Sequence, residues 1–463
     1  MGINGFNKII KKLYSNCLKN KWLSKYDILC VDLNYCLHIV VYDVKSQEEI
    51  LDRLKLLLTY FIQQTNPKKG ILLVADGSAP LAKLFVQRKR RLEMARQTID
   101  CETSSLNFTP GTTFMSNLKT SLEEFTKKIE ILYNINVYFQ INKPGEGEIK
   151  IKKYVTNHIK KNKTFCIVSN DADMIVLLMN LPHIFNIFVL HKIKNSSYTL
   201  NLGVLLTEHV KLFGVSKNPG KDFNVLNYLL GNDYIPKVSY TTFEKLWKSY
   251  KLNLPNYLEG FIVNNKICKD FLINIITDMT LNTQNRFLNQ FNFSEYNEDV
   301  YNNYIDGILW CMDTYDKGIC NNYNYFYKYN NNIHPYGIIL NLYNKKDKLL
   351  DINLKISDPL NNTLYSILLL PLSAKILVKK EYHYLMEELN ELYEEEKCEK
   401  CKKFNQKIIL YKKKISLCPE DDYLKLKINE INIKYNFHKK SHYQLSQNDI
   451  KKIENKFIYY SNS

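Results

Sequence analysis

The segment YDILCVD at residues 26–32 decides the fold, because it joins an apolar run to an acidic residue, Asp32. Two later segments repeat this arrangement: ILLVAD ends at Asp76, and FCIVSNDAD contains Asp171 and Asp173. Short apolar runs of this kind are typical of parallel strands that are buried on both faces. The sequence therefore predicts three parallel strands that each lead into acidic residues.

The segments between these strands have the pattern of amphipathic helices. In Glu49–Gln64, five apolar side chains recur at helical spacing and fall on one face. They are Ile50, Leu54, Leu57, Leu58 and Phe61. Strands that alternate with helices predict an α/β fold with a doubly wound, mainly parallel sheet. Such sheets bind ligands beyond the carboxyl ends of their strands, so we expect the acidic ends to converge on one site.

The chain beyond these strands is predicted to be mostly helical. Residues 224–236, NVLNYLLGNDYIP, predict a helix that breaks at Gly231 and places Asp233 in the following turn. The last sixty residues are predicted to mix short strands with a final helix. With 463 residues, the chain is long enough for more than one domain. We predict an α/β catalytic domain at residues 1–243 and a helical region that completes it at residues 244–463.

Composition and charge favour a polyanionic partner. The chain has 64 Lys+Arg against 47 Asp+Glu, which gives a net charge of +17. Such a balance points to nucleic acid first and to an anionic membrane surface second, although an A/T-rich genome also enriches lysine. The sequence has no apolar run long enough to span a membrane and no secretory signal at its N-terminus. We therefore expect reduced cysteines and a cytoplasmic protein, with the nucleus left open.

Seven carboxylates, called the carboxylate cluster below, are the candidate catalytic residues and metal ligands. They are Asp32, Asp76, Glu146, Glu148, Asp171, Asp173 and Asp233. The two glutamates belong to PGEGE, a segment expected to be extended, in which residues two apart point the same way. Mg²⁺ or Mn²⁺ takes such oxygen ligands, and like charges at this density repel each other without cations. A single Asp after a strand is more often a helix cap, so the prediction of one or two metal ions rests on the whole set.

The segment APLAKLFVQRKRRLEMAR predicts a basic helix that begins just after the second acidic strand end. Four of its residues recur at helical spacing and form one face, called the basic face below. They are Lys83, Gln87, Arg90 and Arg91. Three cations and an amide can hold a terminal phosphate through charge-assisted hydrogen bonds. A solvated basic helix is the commoner outcome, but the position beside the predicted metal site favours phosphate binding. Arg88 and Lys89 are expected to project elsewhere.

Flat side chains near the predicted site are candidates for stacking on bases. His38 lies six residues after Asp32, and Tyr323 and Tyr325 lie in the Asn- and Tyr-rich segment at residues 321–334. Such rings can stack on an unpaired base without reading its identity. A lone histidine is more often a satisfied core or surface residue, so its position alone does not establish the role.

Taken in order, these motifs resemble those of the Xrn 5′→3′ exoribonucleases. Seven blocks within residues 1–240 carry the resemblance: MGINGF, VDLNYCLH, VADGSAPLAKLFVQRKRR, FTPGTTFM, NKPGEGEIKI, SNDADMIVL and LLGNDYIP. The chain departs from the family in lacking a proline in the first block and in carrying Ile149 where the family has histidine. A thinner resemblance continues in DGILWCMDTYDKGI and LLLPLSAKILVKKEYHYLM. The chain ends soon afterwards, so we expect a minimal catalytic core with a fold like that of the PIN and flap nucleases.

The resemblance implies roles for the candidate residues. The carboxylate cluster matches the family's metal ligands, and the basic face matches its pocket for a 5′-monophosphate. His38 matches a ring that stacks on the first base. The family pairs this histidine with a tryptophan, and the chain has Tyr323 at the first of two tryptophan positions and Tyr325 at the second. Trp310 matches a different, structural tryptophan.

The implied function is processive 5′→3′ hydrolysis of single-stranded, 5′-monophosphorylated RNA to mononucleotides by divalent-metal catalysis. In the mechanism that we infer, one ion held by Asp171, Asp173 and Asp233 activates water. A second ion, held by the other four carboxylates, stabilises the leaving 3′ oxygen. The pocket for the 5′-phosphate is expected to admit no cap.

Two other functions fit parts of the sequence. A structure-specific 5′ nuclease related to the flap endonucleases would share the strand-end carboxylates but act on DNA. A catalytically weak RNA-binding protein would share the basic charge. The PGEGE block and the basic helix argue against the first, and the presence of all seven carboxylates argues against the second.

Single-stranded RNA is the expected partner. Protein partners stay open, with the decapping machinery as one candidate, and the source fits a large DNA virus or a compact eukaryotic parasite equally.

Overall fold

The structure is a computed structural model, and it divides the chain into two compact units. The first unit comprises residues up to 40, 51–83 and 119–359, and the second comprises residues 41–50, 84–118 and those from 360 onward. The predicted division at residue 243, drawn where the sequence blocks end, stays a prediction. The residues that the structure describes are 6–19, 26–98, 100–193, 196–281, 291, 293, 296–329, 332–351, 355–388, 399–417, 422–443 and 445–461.

A seven-stranded mixed sheet forms the centre of the first unit. Its order is β1-β7-β6-β5-β2-β3-β4, in which the five strands from β6 to β4 are parallel and β7 and β1 are antiparallel. The strands are β1 (Leu18–Lys19), β2 (Tyr26–Asp32), β3 (Pro67–Val74), β4 (Asn136–Gln140), β5 (Phe165–Val168), β6 (Ile187–Ile193) and β7 (Ser196–Asn201). The doubly wound, mainly parallel sheet that the sequence predicts is therefore confirmed, and the three predicted strands are β2, β3 and β5.

The strand order reverses between β2 and β5, so the binding crevice is expected between the ends of these two strands. From β2 the chain moves outward through β3 to β4, and it then returns to β5 on the other side of β2 before reaching β6. In open α/β sheets, ligands bind beyond the carboxyl ends of the strands at such a reversal. Asp32 is the last residue of β2, Asp76 follows β3 by two residues, and Asp171 follows β5 by three. The acidic strand ends thus flank the reversal.

Helices make up most of the chain between and after these strands, up to residue 344. They are α1 (Phe6–Leu13), α2 (Leu33–Val40), α3 (Gln47–Thr65), α4 (Leu81–Ala95), α5 (Thr113–Tyr133), α6 (Gly147–His158), α7 (Ala172–Leu178), α8 (Leu202–Phe213), α9 (Pro219–Leu229), α10 (Phe243–Asn253), α11 (Lys269–Leu281), α12 (Glu298–Lys317) and α13 (Pro335–Asn344). The predicted apolar face of α3 is confirmed, because all five of its residues are buried. A small sheet of β8 (Ile262–Val263), β9 (Lys266–Cys268) and β10 (Leu349–Leu350) lies in the same unit.

The second unit is helical in its described C-terminal part. Its helices are α14 (Asn362–Leu369), α15 (His383–Glu388), α16 (Glu399–Leu417), α17 (Asp422–Tyr443) and α18 (Gln447–Ser461). The prediction of short strands in the last sixty residues is wrong for the described residues. Isoleucine and tyrosine raise local strand propensity, but Ile450, Ile453 and Phe457 are buried at helical spacing on one face of α18. No helix in the described part of the chain is long and apolar enough to cross a membrane.

Helix α9 delivers Asp233 to the crevice. The predicted break is confirmed: α9 ends at Leu229, and Gly231 follows with φ of +80°, a backbone conformation that favours glycine. Asp222 anchors the helix from inside, because its carboxylate accepts hydrogen bonds from the Phe261 backbone N–H (2.8 Å) and the Tyr250 hydroxyl (2.7 Å).

We predict that Asp222→Ala lowers the free energy of unfolding by about 2–4 kcal/mol, because it leaves a buried N–H and a buried hydroxyl unpaired. The control is Asp347→Ala, which removes an exposed carboxylate and is expected to change stability by at most about 0.5 kcal/mol. Urea unfolding of both variants measures the difference. Equal effects of the two substitutions would contradict the anchoring role of Asp222.

Candidate active site

Two glycines hold together the loops that carry Asp76 and Glu146. The Gly77 N–H donates to the Gly145 carbonyl (2.9 Å), and the Gly145 N–H donates to the Ser78 carbonyl (2.8 Å). A Cβ on Gly77 would lie 2.0 Å from the Lys143 carbonyl oxygen, and Gly145 has φ of +91°. Neither position accepts a side chain without a shift of the backbone. The loops therefore bring two members of the carboxylate cluster close together although they are distant in sequence.

Three of the predicted carboxylates also cap helices. An Asp32 carboxylate oxygen accepts from the Tyr35 N–H (3.2 Å) at the start of α2, and one of Asp171 accepts from the Asp173 N–H (3.2 Å) at the start of α7. Asp76 accepts from the N–H of Gly147 (2.7 Å), the first residue of α6. The commoner interpretation of a strand-end Asp, a helix cap, therefore also holds. The positive N-terminal ends of the helices reduce the cost of gathering these negative charges.

The start of α6 changes the expected geometry of the PGEGE segment. The sequence predicted an extended segment in which Glu146 and Glu148 point the same way. This is wrong, because α6 begins at Gly147, so Glu146 is the helix cap residue and Glu148 lies in the first turn. Both side chains are nevertheless buried, at 4% and 8% exposure. Helical winding, rather than strand alternation, brings them to the crevice.

Lys83 lies among the carboxylates. Its ammonium group is 2.7 Å from a Glu146 carboxylate oxygen and 2.9 Å from one of Asp233. The other oxygen of Glu146 accepts from the Tyr234 hydroxyl at 2.5 Å. Burial acts to lower the pKa of Lys83, but the charges of Glu146 and Asp233 outweigh it and hold the pKa well above its usual value. Lys83 thus neutralises part of the carboxylate cluster from within.

The negative charges of the remaining members of the carboxylate cluster are less well neutralised by nearby positive charge. Burial and the charge of Asp76 raise the pKa of Asp32 to about 7, and burial and the charge of Asp171 raise that of Asp173 to about 8. Burial also holds the pKa of Glu148 well above its usual value. Within the described residues, one oxygen each of Glu148 and Asp173 is buried with no hydrogen-bond partner. Buried polar atoms without partners are costly, so these oxygens call for a cation or a proton.

These residues fit a divalent metal ion in their chemistry. The donors are carboxylate oxygens, which Mg²⁺ and Mn²⁺ prefer, and two of them are buried and lack partners. Among the residues that the structure describes, no three His, Cys, Asp or Glu side chains already form a metal-binding group.

The basic face lies on α4, a helix that runs from the first unit into the second. Lys83 belongs to the first unit, whereas Gln87, Arg90 and Arg91 belong to the second. Within the second unit, the Gln87 carbonyl oxygen accepts from the Tyr365 hydroxyl at 3.0 Å. Phosphate binding by the four residues stays a prediction.

The two cations excluded from the basic face behave as predicted. Arg88 is fully buried and donates to the Leu368 carbonyl within the second unit, whereas Lys89 is exposed. The helical spacing of the sequence thus sorts the charged residues of α4 correctly.

The three stacking candidates differ in accessibility. His38 is exposed on α2, and Tyr323 is half-buried. Tyr325 is 7% exposed, and its ring stacks on Trp310 with a centroid separation of 5.1 Å. A ring buried in this way is not accessible to a base, which argues against the prediction for Tyr325. Of the two tyrosines, Tyr323 is the remaining candidate.

Sequence reasoning missed three residues that support the site. Tyr234 holds Glu146, Asn34 accepts a hydrogen bond from the Asp76 backbone N–H (2.8 Å), and Lys150 donates to the Ala75 carbonyl (2.8 Å). Tyr234 and Lys150 stand beside predicted residues in their motifs, but nothing in the sequence distinguishes a supporting neighbour from a solvated one. Asn34 has no signal beyond its place in the VDLNYCLH block.

We predict that, without metal ions, the free energy of unfolding falls as the pH rises from about 5 to about 8. Asp32 and Asp173, with pKa values near 7 and 8, keep protons in the folded protein that the unfolded chain has lost above about pH 4. Thermal unfolding in EDTA across this range measures the decline, and Asp32→Asn is expected to reduce it. Mg²⁺ is expected to stabilise the protein most at the high end. A wild-type decline no steeper than that of Asp32→Asn would contradict the prediction.

The N-terminal part of the chain is similar to known 5′-3′ exonucleases. Residues 1–192 match the family model described as the XRN 5′-3′ exonuclease N-terminus. The chain is 31% identical over 219 residues to 5′-3′ exoribonuclease 1 of Schizosaccharomyces pombe, a match covering 40% of this chain and 16% of that protein. It is 31% identical over 156 residues to a putative 5′-3′ exonuclease of Acanthamoeba polyphaga mimivirus, covering 28% and 24%. The chain thus spans less than a quarter of the length of these relatives.

Two solved structures give more distant matches. The catalytic core of Rad2 in complex with DNA substrate is 14% identical, with a TM-score of 0.36, and the match covers 68% of this chain and 85% of that one. Human GEN1 in complex with Holliday junction DNA is 14% identical, with a TM-score of 0.34, and the match covers 84% and 79%.

Proposed function

Because residues 1–192 match the family model of the XRN 5′-3′ exonuclease N-terminus, we propose that the protein is a 5′→3′ exoribonuclease. Its proposed substrate is single-stranded RNA with a 5′-monophosphate, which it hydrolyses processively to mononucleotides. The carboxylate cluster carries the proposal, because Asp32, Asp76 and Asp171 lie at the carboxyl ends of parallel strands and Lys83 joins Glu146 to Asp233. A structural role alone does not account for two buried carboxylate oxygens without partners among the described residues.

The residues of the cluster suggest a division of roles. We propose that Asp171, Asp173 and Asp233 hold one divalent ion, and that Asp32, Asp76, Glu146 and Glu148 hold a second. Such ions, when bound, supply a nucleophilic water at neutral pH and charge stabilisation at the leaving oxygen. The chain's own groups orient the carboxylates: Asn34 fixes the loop of Asp76, and Tyr234 fixes Glu146.

We propose that the basic face selects the 5′ end of the substrate. Gln87 is oriented by Tyr365, and Arg90 and Arg91 follow it on the same helix. Guanidinium groups bind phosphate oxygens in a bidentate manner, which suits a terminal phosphate better than a capped end. His38 and Tyr323 are the proposed stacking residues for the bases.

Asp171→Asn is expected to reduce RNA hydrolysis by about a hundredfold or more, because it removes a metal ligand that contributes several kcal/mol to transition-state stabilisation. Loss of a 5′ label from monophosphorylated RNA in Mg²⁺ measures the rate, and binding of the same RNA in EDTA is expected to persist. The control is Asp347→Asn, which changes an exposed carboxylate. A normal rate for Asp171→Asn would exclude the proposed metal role.

We expect hydrolysis of 5′-monophosphorylated RNA in Mg²⁺, and little hydrolysis of RNA with a 5′-hydroxyl, triphosphate or cap, or of a DNA flap.

Arg91→Ala is expected to reduce the preference for monophosphate over hydroxyl by about tenfold or more, since a charge-assisted hydrogen bond contributes roughly 1.5–3 kcal/mol. Lys89→Ala, on the same helix but outside the basic face, is the matched control. Faster cleavage of flap DNA than of RNA would favour the flap-nuclease alternative.

A further inference from the structure

The first unit carries another basic feature, a groove beside α6 and the edge strand β4, called the α6 groove below. It encloses about 700 Å³, which is within the range of ligand-binding clefts. Lysines and flat rings make up half of its lining, and none of the described residues that line it is Asp or Glu. The lysines are Lys69, Lys143, Lys150, Lys153 and Lys163, and the rings are Tyr138, Tyr154, His158 and Tyr323.

The positive charges of the α6 groove are only partly compensated. Lys69 pairs with Asp27 at 2.8 Å, and the ammonium group of Lys150 donates to two backbone carbonyls. Burial, followed by the charge of Lys69, lowers the pKa of Lys163. A concave surface that gathers five lysines, with no carboxylate among its described lining residues, attracts a polyanion, and a bound polyanion would relieve the repulsion between the lysines.

The rings of the α6 groove provide faces at the same surface. Tyr138 is 43% exposed on the edge strand β4. The rings of Tyr154 and His158 stack on each other at 4.1 Å along α6. Flat side chains interleaved with lysines are the combination that single-stranded nucleic acids bind, because bases stack on rings while phosphates follow the cations. An anionic membrane surface would be attracted by the lysines of the groove but would not fit its concave shape.

One end of the α6 groove lies beside the loops that carry Asp76 and Glu146, and the groove leads away from them. At one end, Tyr323 and Lys150 contact the loops of Gly145 and Ala75. At the other end lie Lys69 in β3 and Lys163, which precedes β5, at the amino ends of these strands. Along β4 alone this path measures about 16 Å, at roughly 3.3 Å per residue. A single released nucleotide would not fill it, whereas a continuous strand would.

We propose that the α6 groove binds single-stranded RNA, as a subsite for the part of the substrate strand downstream of the cleaved bond. The inference rests on the proposed function, because only a 5′→3′ exonuclease keeps its long product on that side. The groove would hold the RNA through its backbone and through stacking, without reading its sequence. It would thereby keep the shortened strand bound between cycles.

The test compares two double variants with the same change in charge. Lys153→Glu with Lys163→Glu alters the α6 groove, and Lys248→Glu with Lys251→Glu alters an exposed part of α10 elsewhere in the first unit. Binding of a long single-stranded RNA is measured in EDTA over a series of salt concentrations. Thermal unfolding of each variant confirms that it is folded.

The groove variant is expected to bind the long RNA about tenfold or more weakly, with the slope of log K against log salt reduced by about 1.4, since each lost phosphate contact contributes about 0.7. Its hydrolysis of a trinucleotide is expected to stay unchanged. Equal losses in the groove and control variants would assign RNA binding to the overall charge and overturn the proposal. Unchanged binding in the groove variant would also overturn it.

A second variant tests stacking apart from charge. Tyr138→Ala is expected to weaken binding of the long RNA by about fivefold or more without changing the salt slope, because stacking contributes roughly 1–3 kcal/mol per base. Vesicles containing phosphatidylserine are the competing ligand: loss of vesicle binding in the groove variant, with RNA binding intact, would show a membrane surface instead. Because binding is measured in EDTA, it separates the two proposals. If the groove variant loses RNA binding and the wild-type chain hydrolyses no RNA, the proposal for the α6 groove is supported and the proposed function is excluded.

Discussion

Mutual repulsion among the seven carboxylates is the constraint on which the site depends. The parallel strands bring acidic residues to one crevice, and the chain offsets the repulsion in several ways at once. Helix N-termini donate to Asp32 and Asp76, Lys83 pairs with two carboxylates, and burial raises the pKa values of Asp32 and Asp173, which favours their protonated forms. A divalent cation is the partner that can replace the protons, so metal binding, proton release and stability are linked.

The same constraint explains how the surrounding loops are built. Carboxylates that repel one another stay together only if their backbone positions are fixed by other contacts. The close approach of Gly77 to Lys143 and the hydrogen bonds of Gly145 provide this between β3 and α6. Asp222 fixes the position of α9 through its hydrogen bonds to Tyr250 and Phe261. Backbone contacts of the loops, together with the ion pairs of Lys83, therefore shape the site.

Negative and positive charge are separated in this protein. The net charge of +17 favours a polyanion overall, while the carboxylate cluster repels phosphate until cations bind. The basic face of α4 and the α6 groove are the two basic surfaces to which we assign the attraction for the substrate. Metal ions would then have two effects: they permit the scissile phosphate to approach, and they promote its hydrolysis. A polyanion that reached only the basic surfaces would bind without being cleaved.

The sequence by itself determined the strand ends, the apolar face of α3, the break at Gly231 and the sorting of charges along α4. These features follow from periodicity and chain order, which are local. Only the tertiary structure decided that Lys83 pairs with Glu146 and Asp233, that Tyr325 is buried against Trp310, and that scattered lysines line one groove. Each of these depends on contacts between residues far apart in the chain, and a residue's type does not reveal which distant partner the fold will give it.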